Sequence, residues 1–474
     1  MVLTREWVRH WRAAPDAEVM RTSTDAKIMT GLEVEELTGR IAGGLHEQGV
    51  RPGDRVLLSC APSVETVLCY VAILRLGAVV VPANTGYTAR ELSHVISDSK
   101  PAIAIIDSPE RTRHDVPSHT PGALVSSATS SAHIARVELD SEHDGPAMIA
   151  YTSGTTGVPK GALLSAGNLL AGARALVDAW GWTPADVLIH ALPMFHMHGL
   201  GAGLNGTFTA GASLIVVPRF DVADLVEVLR TNKPTMFFGV PTMYARFAEQ
   251  GQLSSLRELR LVVSGSAPLD PVLFKAITEE TGQSPVERYG MSETVMLTSN
   301  PLNGIRKAGS VGKPLPGVQV RLGDSDGVEV RGPNVFSGYW NRPEGDVFTP
   351  DGWFKTGDIG RFDEDGYLYL VGRASDLIIT GGYNVYPREV EDVIRDLPDI
   401  QDIAVVGVPD PTWGELVIAF YVSSGQAPVD EVLAAELISD RLAPYKHPRR
   451  WIRMTELPRN AMGKVRRDLL REQG

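Results

Sequence analysis

The chain has 474 residues, 43% hydrophobic and 22% charged, the proportions of a globular protein rather than a disordered, collagen-like or coiled-coil chain. Its 57 acidic residues outnumber 45 basic ones, for a formal net charge of -12, which argues against a general nucleic-acid binder or a protein that coats an anionic membrane. Two cysteines, Cys60 and Cys69, are too few for a disulfide framework, and the sequence shows neither a membrane-span-length apolar run nor the apolar core of a signal peptide in Val2 to Pro15, so a cytoplasmic protein is expected.

In chain order, Val34, Leu37, Ile41 and Leu45 mark one face of a helix, and a Pro52-Gly53-Asp54 turn leads into a strand from Val56 to Ser59. Val64, Val67, Leu68, Val71 and Ala72 recur at helical spacing, Gly77 ends that helix, and Ala78 to Val81 reads as the next strand. Glu91 to Ser97 is helical in pattern and Ala102 to Ile106 is a further apolar strand. Helices alternating with all-apolar strands predict an α/β layer with a largely parallel sheet. Residues 108–134, rich in Ser, Thr, Pro and His, read as a surface excursion, and the α/β rhythm resumes near Met148.

From Val318 the texture changes to short strands and Gly/Asp turns, which predicts a β-rich subdomain. After Asp376 a compact α+β unit is expected, with helices from Pro387 to Leu397 and Val429 to Leu442 and strands from Ile403 to Val408 and Leu416 to Val422. The fold class read from this pattern is α/β. A large N-terminal part combines two layered α/β subdomains with the β-rich one, and a small mobile α+β domain follows. The expected boundary separates residues 1–374 from residues 375–474.

The most informative stretch is Tyr151-Thr-Ser-Gly-Thr-Thr-Gly-Val-Pro-Lys160-Gly161, which follows an apolar strand. Small residues let backbone N–H groups approach an anion, the hydroxyls donate, and Lys160 supplies charge. It is not a Walker A loop, because no G-x-x-x-x-G-K-[ST] occurs. Further strings follow in order: Leu192-Pro-Met-Phe-His196-Met-His198, Ser264-Gly-Ser-Ala-Pro-Leu269, Tyr289-Gly-Met-Ser-Glu293-Thr294, Thr356-Gly-Asp358, Gly372-Arg373-x-x-Asp376 and Pro458-Arg-Asn-Ala-Met-Gly-Lys464. Together they resemble the adenylate-forming enzymes, the family of acyl-CoA synthetases, peptide-synthetase adenylation domains and luciferases, over nearly the whole chain.

That resemblance implies ATP, Mg²⁺ and coenzyme A, with Lys464, Glu293 and His196 as catalytic residues. It implies nucleotide contacts from Thr152, Ser153, Gly154, Thr155, Thr156, Gly157 and Lys160 on the phosphates. Ser266, Ala267, Pro268, Glu287, Arg288, Gly290, Met291 and Ser292 would also bind ATP, and Tyr289 would stack against the adenine beside the Ala267 loop. Asp358 and Arg373 would meet the ribose, and Glu293 would bind the metal. It also implies a C-terminal domain that pivots near Ser375 and brings Gly381 and Gly382 to the thiol tunnel. Ser375 departs from the Asp or Lys that many relatives carry, which bears on the balance between the two orientations. Lys464 stands in a context where related synthetases are acetylated, so a lysine acetyltransferase is an expected partner besides the small-molecule substrates.

The segments expected to line the acyl pocket carry charge. Arg246 lies one helical turn beyond Thr242, and Arg288 directly precedes Tyr289. Two guanidiniums suit a second carboxylate on the substrate, through bidentate charge-assisted bonds, with His198 as a further donor. The pairing of either arginine with Glu287 or Glu249 is the competing reading. Bulky Met243 and His196 would close such a pocket around a short acid. Within the family these strings resemble malonyl-CoA synthetases, which implies malonate or methylmalonate as the acid. A short- or medium-chain acyl- or aryl-CoA ligase and a non-catalytic nucleotide-binding homologue are the alternatives. Gly201-Ala-Gly203-Leu-Asn-Gly206 fits a dinucleotide fingerprint but follows no clean strand, and reads as helix-packing glycines.

Overall fold

The computed structural model describes residues 3–23, 28–112, 116–130, 145–152, 159–342, 347–397, 399–424, 429, 431–439, 441–460 and 463–474. Contacts divide the chain into two units, Met1–Val320 with Val330–Phe354, and Arg321–Glu329 with Lys355–Gly474. Among the described residues, no helix is long and apolar enough to cross a membrane.

The first unit contains two large sheets. The seven-stranded sheet runs, edge to edge, Gly338–Tyr339, Lys160–Ser165, Pro146–Thr152, Val79–Pro82, Arg55–Ser59, Ile103–Ile106 and Ser118–His119. Its inner strands pair in parallel, as the apolar strand runs predict, while Pro146–Thr152 and Lys160–Ser165 form an antiparallel pair. The nine-stranded sheet centres on Val286–Tyr289, Leu261–Ser264, Met236–Gly239, Val187–His190 and Ser213–Val216, all parallel. Several helices start where local chemistry dictates. Thr30 with Glu33, Thr88 with Glu91 and Ser165 with Asn168 form capping boxes that satisfy otherwise orphaned N–H groups. Pro241, Pro271 and Pro387 occupy the first helical turn, where the missing N–H costs nothing.

The N-terminal segment is an amphipathic helix, Leu3–Ala13. It buries Leu3, Trp7 and Trp11, with Trp7 and Trp11 edge-on to Phe208 at 5.4 and 5.3 Å. Burying such aromatic rings stabilises the helix by roughly 1.5–3 kcal/mol each, and Trp7 also donates to Thr209 Oγ1 at 3.1 Å.

The expected surface excursion at 108–134 is corrected over its described part. Pro121–Ser130 is a helix that buries Leu124 and Ala128 and packs against the Gly31–Glu47 and Val64–Arg75 helices. Its Ser-rich composition hid a narrow apolar stripe, since two buried side chains one turn apart suffice to dock a short helix. The glycines of 201–206 lie in a π-helical turn, His198–Leu204, and the start of the next helix. A Cβ on Gly201 would come within 2.6 Å of Met197, and one on Gly206 within 2.5 Å of Trp182. Close approach is therefore their reason for being glycine.

In the second unit the strands Phe354–Phe362 and Leu368–Arg373 pair antiparallel. A further sheet is built from Ile378–Thr380, Tyr383–Val385, Ile400–Asp410, Gly414–Ser423 and Arg450–Arg453. Strand alternation gives this sheet two apolar faces. Val405, Val417 and Ala419 pack with the Pro387–Ile394 helix, and Ala404, Val406, Ile418 and Phe420 pack with Leu457 and Leu470. The second expected helix is shorter than its apolar pattern, Glu431–Ile438.

Candidate active site

The phosphate-loop motif sits on the antiparallel pair Pro146–Thr152 and Lys160–Ser165, with Thr152 opposite Lys160. Ser153, Gly154, Thr155, Thr156 and Gly157 lie outside the described residues. Both stems of the loop are held by one turn of the Ala89–Ser99 helix. The Tyr151 phenol donates to Asp98 Oδ2 at 2.5 Å, and His94 Nε2 meets the Pro159 carbonyl at 3.2 Å. Burial first, and then the Asp98 carboxylate, hold the Tyr151 phenol above the ordinary tyrosine range. Neither His94 nor Asp98 was expected at the site. Their i, i+4 spacing was readable, but on an amphipathic helix it signals an ordinary polar face.

Tyr289-Gly-Met-Ser-Glu293 leaves the carboxyl end of the Val286–Tyr289 strand, the end where open α/β sheets bind ligands. Glu293 is buried and accepts a hydrogen bond from the Tyr339 phenol at 2.9 Å. The loop is strapped in place. Asn334, itself buried, donates through Nδ2 to the carbonyls of Thr294 and Met296, both at 2.7 Å. Between those carbonyls Val295 adopts φ 58, a left-handed conformation that costs a β-branched residue energy and persists only when its surroundings impose it. Asn168 repeats the device one layer out, donating to the carbonyls of Pro333 and Val335.

Strand alternation separates the charged residues of Glu287-Arg288-Tyr289. The registers Phe238↔Val263, Val263↔Val286 and Ser264↔Glu287 put Phe238 and Arg288 on one face and Phe237, Val262 and Glu287 on the other. Glu287 accepts from the backbone N–H groups of Gly309 and Leu269, so it is not the counter-charge of Arg288. Arg288 is 5% exposed, and its buried Nε and Nη2 meet no hydrogen-bond partner among the described residues. A Cβ on Gly265 would sit 2.4 Å from Nε, so only glycine accommodates the guanidinium there. Burial pushes the Arg288 pKa down to about 9.

On the same face, His198 is fully buried, stacks on Phe238 at 6.3 Å and meets Ser266 Oγ through Nδ1 at 3.3 Å. Its Nε2 is buried without a partner among the described residues. Burial, then Arg288, hold its pKa well below the ordinary histidine value, so the ring is neutral near pH 7. Ser266 reaches it from a left-handed conformation, φ 72. His196 is half-buried, and its Nδ1 accepts from the His198 backbone N–H at 3.2 Å. Ala267, Pro268, Gly290, Met291 and Ser292 follow the ends of neighbouring strands and are half-buried or exposed, while Tyr289 is buried.

Arg246 does not join this cluster. It is exposed on the Pro241–Glu249 helix, over the Phe220 ring at 6.0 Å. That helix packs Tyr244, Phe247 and Met243 into the core shared with Phe237 and Val262, and the Tyr244 phenol is an electrostatic neighbour of Arg288. Of the two arginines expected to meet a second carboxylate, Arg288 is buried beside His198 and Arg246 is exposed on its helix. Helical spacing from Thr242 was sound, but it could not show which side chains of the helix stay exposed.

The second unit carries the remaining motifs. Asp358 and Arg373 are directly cross-strand and joined by an ion pair of 2.7 Å. Ser375 lies exposed in the Ala374–Asp376 turn, and Asp376 is met by Arg471 at 3.3 Å. Gly381 and Gly382 have φ 57 and 81 and close the hairpin between Ile378–Thr380 and Tyr383–Val385, a two-residue turn that requires positive φ at both positions. Lys464 is exposed at the end of a tight loop, where Asn460 Oδ1 accepts from the Lys464 N–H at 3.0 Å. Arg459 braces that loop through Gly463 O and Asp402, both at 2.6 Å. The charged groups around the lysine ammonium include Asp358, Arg373, Asp376 and Arg467.

The chain belongs to the AMP-binding enzyme family, whose profile matches residues 7–340, with the family's C-terminal domain at 389–464. Among solved structures it is similar to ATP-bound MatB from Rhodopseudomonas palustris, at 38% identity and a TM-score of 0.94, over 100% of this chain and 99% of that one. It is 35% identical to the malonate–CoA ligase of Arabidopsis thaliana over 90% of this chain and 78% of that protein. It is also 33% identical to a long-chain-fatty-acid–CoA ligase of Bacillus subtilis over 92% of this chain and 88% of that protein.

Proposed function

We propose that the protein is an AMP-forming acyl-CoA synthetase that converts malonate, ATP and CoA to malonyl-CoA, AMP and pyrophosphate. A carboxylate oxygen attacks the ATP α-phosphorus and pyrophosphate leaves. The CoA sulfur then attacks the acyl carbon, its proton goes to solvent, and AMP leaves. The observation that carries the choice of acid is Arg288, a buried guanidinium whose Nε and Nη2 lack partners among the described residues. Such a charge is costly unless a ligand supplies an anion. A second carboxylate does so with bidentate geometry, and a long apolar acid does not. His198 adds to this: in the tautomer in which Ser266 donates to Nδ1, the neutral ring presents Nε2–H as a donor. Similarity to the malonate–CoA ligase supports the same acid, and similarity to ATP-bound MatB supports the nucleotide; the long-chain relative keeps a fatty acid as the second reading.

Thr152 and Lys160 would hold the phosphates, Tyr289 and the Ser266–Pro268 loop the adenine, and Asp358 with Arg373 the ribose. Glu293 would hold Mg²⁺. One buried carboxylate suits a hard cation that takes its other ligands from phosphate oxygens and water, and no cluster of three ligating side chains occurs among the described residues. The ion would neutralise phosphate charge; the chain's own residues align the two anions and exclude water. Ser375 would be the pivot between residues 1–374 and 375–474, and Gly381 and Gly382 would border the thiol path. A cytoplasmic location fits two buried, unpaired cysteines and is checked by cell fractionation.

Pyrophosphate release with CoA present, compared across malonate, methylmalonate, succinate, acetate and octanoate, is expected to be fastest with malonate or methylmalonate. Faster turnover of octanoate overturns this reading. Lys464 is exposed, and its acetylation by a lysine acetyltransferase would remove the charge needed for adenylation. Stoichiometric acetylation at Lys464, verified by mass, is expected to abolish pyrophosphate release, and an unchanged rate refutes this regulation.

A further inference from the structure

Tyr339 lies between two residues on which the proposed chemistry depends, and no motif draws attention to it. The Gly338–Tyr339 strand pairs antiparallel with Lys160–Ser165, with Tyr339 opposite Ala162 and Trp340 N–H donating to Gly161 O at 2.8 Å. Lys160 is two residues before Ala162 and so shares the face that Tyr339 covers, as its diagonal neighbour. The Lys160 ammonium stands 5.7 Å from the centre of the Tyr339 ring, within reach of a cation–π attraction. From the other end of the same side chain, the phenol donates to Glu293 Oε1 at 2.9 Å.

The segment is anchored to Glu293 a second time. Phe336 N–H donates to the Glu293 carbonyl at 2.8 Å, and the Phe336 ring meets Tyr339 edge-on at 5.0 Å. Gly338 adopts φ 153, backbone open to glycine and little else, so the chain can deliver the tyrosine across the strand. One side chain therefore restrains both the carboxylate and the ammonium.

We propose that Tyr339 is a positioning residue for the triphosphate side of the site: its hydroxyl fixes the rotation of the Glu293 carboxylate that would hold the cation, and its ring restrains the Lys160 ammonium that would meet phosphate. The proposal rests on the reading that Glu293 holds Mg²⁺ and Lys160 meets phosphate. Partners of this kind behind a metal ligand typically change metal affinity 10- to 100-fold when removed, whereas losing an exposed cation–π contact changes affinity only about two- to fivefold.

The test is calorimetric titration of ATP into the full chain at a series of Mg²⁺ concentrations, for the wild type, Tyr339→Phe, Tyr339→Leu and Glu293→Gln, with thermal melts of each. Tyr339→Phe keeps the ring and is expected to raise the Mg²⁺ concentration for half-maximal tightening of ATP about tenfold, with metal-free ATP affinity within twofold of wild type. Tyr339→Leu is expected to weaken metal-free ATP binding as well. A merely structural tyrosine would lower the melting temperature without moving the Mg²⁺ midpoint. A wild-type midpoint in Tyr339→Phe, with a shifted one in Glu293→Gln, overturns the role of Tyr339 alone. Wild-type midpoints in both overturn the Glu293 reading and the proposal with it. Should Tyr339→Leu fail to fold, Tyr339→Phe still decides.

Discussion

Lys464→Ala is expected to lower pyrophosphate release on the order of 10²–10³-fold, the cost of removing one preorganised group that stabilises transition-state charge. The same variant, supplied with malonyl-adenylate and CoA, is expected to form the thioester within about threefold of the wild-type rate, since that step does not place further charge on the α-phosphate. The loop geometry makes the substitution a clean one. Lys464 is exposed, and its loop is held by the backbone and by Asn460, Arg459 and Asp402 rather than by the lysine side chain. A stable fold with a selective loss is therefore expected. Both half-reactions must be measured, by pyrophosphate release and by thioester formation from the supplied adenylate. Equal loss in the two steps would refute the assignment of Lys464 to adenylation. It would also remove the need for a pivot at Ser375, because a domain that alternates between steps should make its lysine dispensable in one of them.

Motif strings and period-2 or period-3.6 runs were the legible part of this chain. The apolar runs at 56–59, 64–72 and 102–106 translate into strands and a helix with ends displaced by a few residues at most, because full burial leaves few ways to arrange such segments. Pairing partners were not legible. Arg246 and Arg288 look alike as charged residues near expected pocket segments, and only the packed chain leaves Arg246 exposed on its helix while Arg288 is buried at a strand end. The helix at Pro121–Ser130 was hidden by serines that face solvent while Leu124 and Ala128 do the packing. Asn334 and Tyr339 carried no signal, since a neutral side chain in a Gly/Pro-rich stretch acquires a role only from the carbonyls or carboxylate it meets. Motif residues announce chemistry; the groups that hold them answer to tertiary contacts from distant parts of the chain.

Arg288→Ala is expected to reduce kcat/KM for malonate by about 10²-fold or more, the scale on which one half of a buried charge pair is lost, roughly 2–5 kcal/mol. Activity on acetate, which has no second carboxylate to lose, should change by less than about threefold. Equal loss on both acids would mean that Arg288 supports the fold or the nucleotide instead. A volume-preserving Arg288→Met separates these outcomes through stability. The guanidinium is buried, with Nε and Nη2 unpaired among the described residues, and burial lowers its pKa to about 9. A folded-state pKa below the unfolded one makes the charged group a net cost to stability. That cost is full below pH 9, where the residue is charged in both states, and it shrinks as pH rises from about 9 toward the unfolded value, because the folded state then sheds the proton first. At pH 7 the free Met variant should therefore melt at or above the wild-type temperature, and the wild type should close the gap above pH 9. Malonate with a non-hydrolysable ATP analogue should raise the wild-type melting temperature and leave Arg288→Met nearly unmoved, since only the wild type has a buried charge for the ligand to neutralise. A free variant that melts well below wild type at pH 7 would mean that Arg288 has a counter-charge within the protein, and the case for a dicarboxylate would fall with it.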